Sequence, residues 1–409
     1  MVQNSDIYCV TEGSDIPESL EKIILQSRDV SIINKNGLER KVISFVGFVI
    51  NENDILISFP KHFSIDSKHI VEDAQLLMEI LGNEIQKNKL KYFNYSTNLE
   101  TNYPFNSFHE IYKYYVKYGL HKVKRNYVET GYNGKIAWKE TINKSSKIIS
   151  KDNLVFLPYK IKRTATESTF LSECMIFAIN YTISIFSFFI NLPSIKFNLN
   201  YNKFRNKESV LQELYKIRGK TFKDIEIRLI DNLIQFFQNM NKGGNYYIKH
   251  YYFSSVWESM VENYLNMHFV GVKRNRLIFD DNNLYKNNFQ KTIFYPNKIN
   301  EEQNIQPDHF LIKGDIQFIF DSKYYNKIDQ LNYKQVAYHF LLRNRVSDES
   351  EKYIQTISAL ILPSEKHHQK LHFVLKDEYN LYGEEFSIIE CYLEIKKLMK
   401  LYIESNFNR

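Results

Sequence analysis

The residues best suited to chemistry in this 409-residue sequence lie between Gln306 and Tyr325, in QPDHFLIKGDIQFIFDSKYY. Two acids, Asp308 and Asp321, and one lysine, Lys323, stand among apolar β-formers on either side of Lys313-Gly314-Asp315-Ile316. Gly-Asp is a favoured two-residue hairpin loop. With Gly314-Asp315 as that loop, Lys313 faces Ile316, and counting back along both strands sets Asp308 opposite Asp321. Directly opposed residues share a face with Cβ atoms about 4.5–5.5 Å apart, close enough for both carboxylates to bind one divalent cation. Lys323, two residues on, points to the same face because strand side chains alternate. Carboxylate oxygens hold Mg²⁺, the ion polarises a phosphate and acidifies a water, and a nearby ammonium steadies the developing charge. These residue types therefore suit metal-assisted phosphodiester hydrolysis. The plain alternative is two surface acids with an ordinary ion-pair lysine, since an Asp…Asp-x-Lys pattern is common by chance. The hairpin register, the preceding Pro307 and the apolar flanks favour the site. Asp315 is a competing acid displaced into the turn.

The elements that must hold these residues follow from periodicity. The hairpin strands are apolar on both faces, which predicts a sheet covered on both sides and an α/β architecture. Upstream, SSVWESMVENYLNMHF (254–269) is amphipathic and predicts a helix that could bring Glu258 or Glu262 to the metal. Glu258, following Val256-Trp257, is the better candidate, and a solvated acid on the polar helix face stays open as the alternative. Downstream, NYKQVAYHFLLRNR (332–345) predicts a helix with Lys334 and Gln335 at its start, where a phosphate could be met or the helix simply exposed.

Further upstream, VISFVGFVINENDILISFPKHF (42–63) predicts a β-hairpin around 51–54, followed by helices near 70–90 and 106–120. The stretch IYKYYVKYGLHKVKRNYV (111–128) interleaves Tyr with Lys and Arg, which fits either a phosphate-contacting surface or a solvated helix face. Residues 139–156 are Ser/Lys-rich and are the candidate connection between domains. Helical patterning then covers 167–190 and 207–240, and Asn241-Lys242-Gly243-Gly244-Asn245 breaks it. The expected organisation is a mixed α+β N-terminal domain over 1–150 for partner or DNA engagement, then a helical lead-in and catalytic α/β core over 151–409.

Composition narrows the classes. Lys and Arg outnumber Asp and Glu by 54 to 47, a net +7 that mildly favours a polyanionic partner such as double-stranded DNA. Most of the 30 Tyr and 30 Phe are expected to fill cores. Three scattered cysteines form no CxxC pattern and fit a reduced, cytoplasmic compartment, and the N-terminus lacks a secretory pattern. MIFAINYTISIFSFFI (175–190) falls short of a membrane span and predicts a core helix, so no membrane is expected. Gly219-Lys220-Thr221 lacks the earlier glycine and the strand of a P-loop, and no HExxH or G-x-S-x-G occurs.

Val256-Trp257-Glu258, Pro307-Asp308, Asp321-Ser322-Lys323-Tyr324-Tyr325 and Lys334-Gln335, in that order, resemble the LlaJI restriction endonuclease family, related to the McrC nuclease subunit of McrBC-type systems. Phe45-Val46-Gly47 with Pro60-Lys61, and Gly134-Lys135-Ile136-Ala137-Trp138-Lys139, are similar to segments that precede the nuclease in that family. The resemblance implies a PD-(D/E)xK core. It further implies Asp308 and Asp321 as Mg²⁺ ligands, Lys323 as catalytic lysine, Glu258 as accessory acid and metal ligand, and Gln335 as a post-catalytic helix residue. A separately encoded McrB-like AAA+ GTPase, whose ring would engage the N-terminal domain, is the implied partner. Related nucleases carry Tyr four residues after the Gln; here that place is His339, with Tyr338 one earlier. Two other functions share these residues: a nuclease-fold adaptor without activity, and a stand-alone nuclease acting on RNA or in repair.

Overall fold

The computed structural model describes residues 6–17, 20, 25–35, 38–51, 54–90, 98–150, 153–240, 243–282, 284–300, 302–343, 355–380, 383 and 386–407. The turn expected at 52–53, the break at 241–242 and the end of the helix expected to reach 345 lie outside them. Two compact units form, one of Pro104–Ser187 and Asn191–Met240, the other of Val2–Tyr103, Phe188–Ile190 and Asn241–Arg409.

The larger unit carries two five-stranded sheets. In the first, the expected hairpin is present as Val46–Ile50 paired antiparallel with Asp54–Phe59. Asp6–Thr11 adds in parallel to Asp54–Phe59, and Tyr246–His250 adds antiparallel to Val46–Ile50. Leu99–Thr101 closes the other edge. One apolar cluster packed at this sheet is Val10, Leu20, Ile43, Phe45, Val49 and Leu56. Lys249 points inward, and its charge is compensated: Nζ donates to Asp29 Oδ2 at 2.7 Å, while the Tyr251 hydroxyl donates to Asp29 Oδ1 at 2.8 Å. Gly47 makes the close pairing possible, since a Cβ there would lie 2.0 Å from the Ile248 carbonyl oxygen.

The second sheet holds the candidate residues. A helix α1 (Ser254–His268) leads into a short hairpin, β1 (Phe269–Lys273) and β2 (Arg276–Phe279). An irregular stretch then reaches β3 (His309–Lys313) and β4 (Ile316–Ser322). Helix α2 (Tyr333–Leu342), β5 (Gln355–Ser364), β6 (His368–Val374), β7 (Ser387–Glu394) and α3 (Ile395–Phe407) complete it. The strand order is β3-β4-β5-β7-β6. The pairs β4–β5 and β5–β7 are parallel while β3 and β6 run antiparallel at the edges, so the sheet is mixed. Both faces are covered: Ile319 packs with Tyr338 and Leu342 of α2, and Phe318 and Phe320 pack with Phe269 and Phe289. A mixed α/β fold with helices on the sheet faces is therefore observed.

The smaller unit holds, among the described residues, four longer helices, Phe105–Tyr118, Phe170–Ile185, Lys207–Arg218 and Asp224–Asn239. The third of these, capped after Arg218, absorbs Gly219-Lys220-Thr221 into its C-terminal turn. The apolar helix Phe170–Ile185 is buried along most of its length, with Phe177 stacked on Phe204 and Phe237, and among the described residues no helix is long and apolar enough to cross a membrane. The tyrosine-lysine stretch 111–128 divides into the end of the first helix and the strand Lys122–Thr130, which pairs with Lys160–Ser168. The Ser/Lys-rich stretch 139–156 folds as the helix Trp138–Lys144 and the hairpin Ser146–Ser150 with Asn153–Leu157, so residue 150 falls within this unit.

Two glycines give contrasting expectations. Gly47→Ala drives a methyl into the Ile248 carbonyl and is expected to cost about 3 kcal/mol or more. Gly314, with φ +60 and open space around its Cβ position, costs only the left-handed strain, about 1 kcal/mol as Ala. Urea unfolding of both variants checks the difference.

Candidate active site

The hairpin has the expected register: Lys313 pairs with Ile316, Leu311 with Phe318 and His309 with Phe320, around Gly314 at φ +60. Continued one step, this pairing brings Asp308 to Asp321, and the Asp308 carboxylate is held there by the Ser322 amide, which donates to Oδ2 at 3.0 Å. Asp321 is wholly buried and Asp308 nearly so. Burial, and then the neighbouring Asp308 charge, raise the Asp321 pKa, while Lys323 opposes both. Two carboxylates in one buried place demand a cation.

Three ammonium groups answer that demand. Lys323 forms an ion pair with Asp321 Oδ2, and Lys334, from the first turn of α2, lies 3.5 Å from Oδ1. Burial works against the Lys334 charge, but Asp321, Tyr338 and Asp308 together raise its pKa. The third, Lys291, was not evident from the sequence. Its Nζ stands 3.7 Å from Asp308 Oδ1 and 3.3 Å from Glu258 Oε2. Partial burial disfavours this ammonium, yet Glu258 and Asp308 raise its pKa. Lys291 lies in the irregular stretch before β3, where no periodicity marks a position as facing the site.

Glu258, on α1, thus joins Asp308 through one shared ammonium. Among the described residues no three His, Cys, Asp or Glu side chains group closely enough to cage a metal. Mg²⁺ is commonly held by one or two carboxylates, with waters and substrate phosphate completing six oxygens. The buried Asp308–Asp321 pair fits that requirement.

Gln335 is buried rather than presented at the helix start. Its Nε2 donates to the Ile319 carbonyl at 2.6 Å and its amide to Asn332 Oδ1 at 3.0 Å, so it ties α2 to the strand carrying Asp321. His339 and Tyr338 also turn inward: His339 stacks on Phe386 and the Tyr338 hydroxyl donates to the Gln306 carbonyl at 2.8 Å. On the opposite face, His309 Nε2 meets Ser322 Oγ at 2.7 Å, and burial lowers its pKa to about 3, which keeps the imidazole neutral.

The segment after Lys323 is fixed from the first sheet. Tyr324 is buried; its hydroxyl accepts the Lys61 amide at 2.8 Å, burial and then the nearby Glu12 charge raise its pKa, and Lys61 Nζ lies 5.0 Å from the ring centroid. His62 Nε2 meets the Tyr325 carbonyl at 3.1 Å. Residues some 260 positions upstream therefore set the path of the chain beside the lysine.

The family model described as LlaJI restriction endonuclease matches residues 45–382. A chain in the structure of Thermococcus gammatolerans McrB AAA+ hexamers with bound McrC is similar at 13% identity and TM-score 0.37, covering 98% of this chain and 99% of that one. A chain of the Thermococcus gammatolerans McrBC complex gives 10% identity and TM-score 0.22, covering 59% and 82%. No curated protein matches.

The raised Asp321 pKa carries a stability consequence. A carboxyl whose pKa the fold raises adds stability that is fully present below its unfolded pKa, and that contribution is lost as pH rises through its folded value. In EDTA, Asp321→Asn is expected to raise Tm at pH 8 and to show no gain near pH 3, where the acid is protonated in both states. Thermal unfolding across that pH range checks this, and a lower Tm at pH 8 would sink it.

Proposed function

We propose, for a chain that belongs to the LlaJI restriction endonuclease family, that it is the cleaving subunit of a restriction system acting on double-stranded DNA in anti-phage defence. The observation that carries this reading is the facing pair Asp308 and Asp321 with Lys323 against them. The sheet order, with a hairpin bearing both acids beside parallel central strands, supports a PD-(D/E)xK core.

In this reading Asp308 and Asp321 hold Mg²⁺, with Glu258 as an accessory ligand reached when Lys291 moves aside. The ion, when bound, supplies Lewis-acid polarisation of the scissile phosphate and a more acidic water. Lys323, already against Asp321, steadies the attacking water and the charge that develops on the phosphoryl oxygens. Lys334 offers a second ammonium from the start of α2. Gln335 acts at one remove, holding α2 on the Asp321 strand so that Lys334 keeps its reach.

The partner in this reading is an McrB-like AAA+ GTPase. Its support is the family, together with the lack of a P-loop in the sequence. The unit over 104–240 presents Tyr132, Trp138, Ile149 and Leu154 to solvent, 71%, 56%, 80% and 54% exposed, and we assign partner contact to that unit.

The test is cleavage of plasmid DNA in Mg²⁺, with and without the candidate GTPase and GTP. Wild type should cut and EDTA should abolish cutting. Asp321→Ala and Lys323→Ala should each lower the rate at least about 100-fold, as loss of a ligand or a positioned charge does. Equal cutting by wild type and both variants would overturn the site; RNA cleavage in place of DNA cleavage would overturn the substrate.

A further inference from the structure

The edge of the catalytic sheet carries a second cluster of charge. A cavity of about 260 Å³ opens between the β1–β2 turn and strand β6, lined by Arg274, Asn275, Arg276, Gln369, Lys370 and Leu371. Gln369 fastens the two elements together, accepting from the Leu277 amide at 2.8 Å and donating to the Leu277 carbonyl at 2.9 Å. Lys370 is paired with Glu390 at 3.0 Å, whereas among the described residues neither Arg274 nor Arg276 has a carboxylate partner. The cavity therefore holds uncompensated positive charge on a braced frame.

The turn itself is unusual. Lys273 pairs with Arg276, and Arg274 and Asn275 between them have φ values of 51 and 54. A two-residue turn of this kind favours Asn-Gly or Gly-Gly. Asparagine tolerates the left-handed conformation; arginine does so at a conformational cost. A strained residue that carries a charge to the mouth of a cavity points to a ligand.

The register relates Lys370, at the rim of this place, to the proposed active site. Asp321 pairs with Leu360, Leu360 with Glu390, and Glu390 with Lys370, so the four occupy one row across the sheet. Three strand spacings separate the ends of the row, about 14 Å. One DNA strand rises about 3.4 Å per nucleotide, so that span is about four nucleotides. Guanidinium groups meet phosphate oxygens in a bidentate fork.

Resting on the nuclease reading above, we propose that Arg274 and Arg276, with Lys370 at the rim, form a subsite for a backbone phosphate of DNA a few nucleotides from the scissile bond. It positions the duplex and reads no base.

The test measures binding without turnover. A fluorescent duplex is titrated with the full chain in EDTA over a salt series, using wild type, Arg274→Ala/Arg276→Ala and Arg274→Gly. The double variant should bind at least about tenfold more weakly, with the slope of log affinity against log salt shallower by about 2, and equally so for unrelated sequences. Arg274→Gly should weaken binding and make the slope shallower by about 1, without lowering Tm, since glycine suits the turn. Unchanged affinity and slope in the double variant, or no duplex binding by wild type, would overturn the subsite, as would weaker binding that only tracks a lower Tm. Failure of the nuclease reading appears separately, as wild-type DNA that stays uncut in the Mg²⁺ assay.

Discussion

A carboxylate with no exposed surface sets the terms for the second sheet of this molecule. Asp321 sits near the C-terminal end of β4 in a covered sheet, beside a second acid, and water cannot stabilise it there. Three lysines supply positive charge around the two acids, and a glutamine holds the helix that carries one of them. Lys323 arrives through strand alternation, Lys334 through the first turn of α2, and Gln335 keeps α2 in place by bonding the strand two residues before the acid. Lys291 completes the ring by bridging Asp308 to Glu258. Four separate segments thus converge because one buried charge requires it.

This arrangement costs stability. An apolar residue at 321 would sit more easily beside Leu360, yet the sheet carries an acid whose ionisation its own surroundings resist. The lysines offset that cost without cancelling it, since the pKa remains raised.

The hairpin was legible from residue types because its information is local: Gly314-Asp315 fixes the loop, the loop fixes the register, and alternation puts Lys323 beside Asp321. The helices bearing Glu258 and Gln335 were equally legible from their periodicity. Gln335 at a helix start suggested exposure, whereas the fold turns it under the strand. Lys291 gave no signal because an irregular segment has no period to read. The contact of Tyr324 with Glu12 and Lys61 lies beyond local pattern altogether, as does the return of Tyr246–His250 to pair with Val46–Ile50. The 111–128 stretch was ambiguous because its tyrosines and lysines suit a helix end and an exposed strand alike.

That returning strand has a consequence for how the protein is made. Val46–Ile50 finds its neighbour Tyr246–His250 only after some two hundred further residues have been synthesised, and Lys61 meets Tyr324 later still. At ribosomal rates of about 5–20 residues per second, the first sheet waits on the order of ten seconds or more with an unpaired edge. Such non-local pairings form slowly even once the chain is free. The lysine beside the buried acid is therefore braced only near the end of folding, so a nascent chain carries its acids long before the groups that compensate them are fixed.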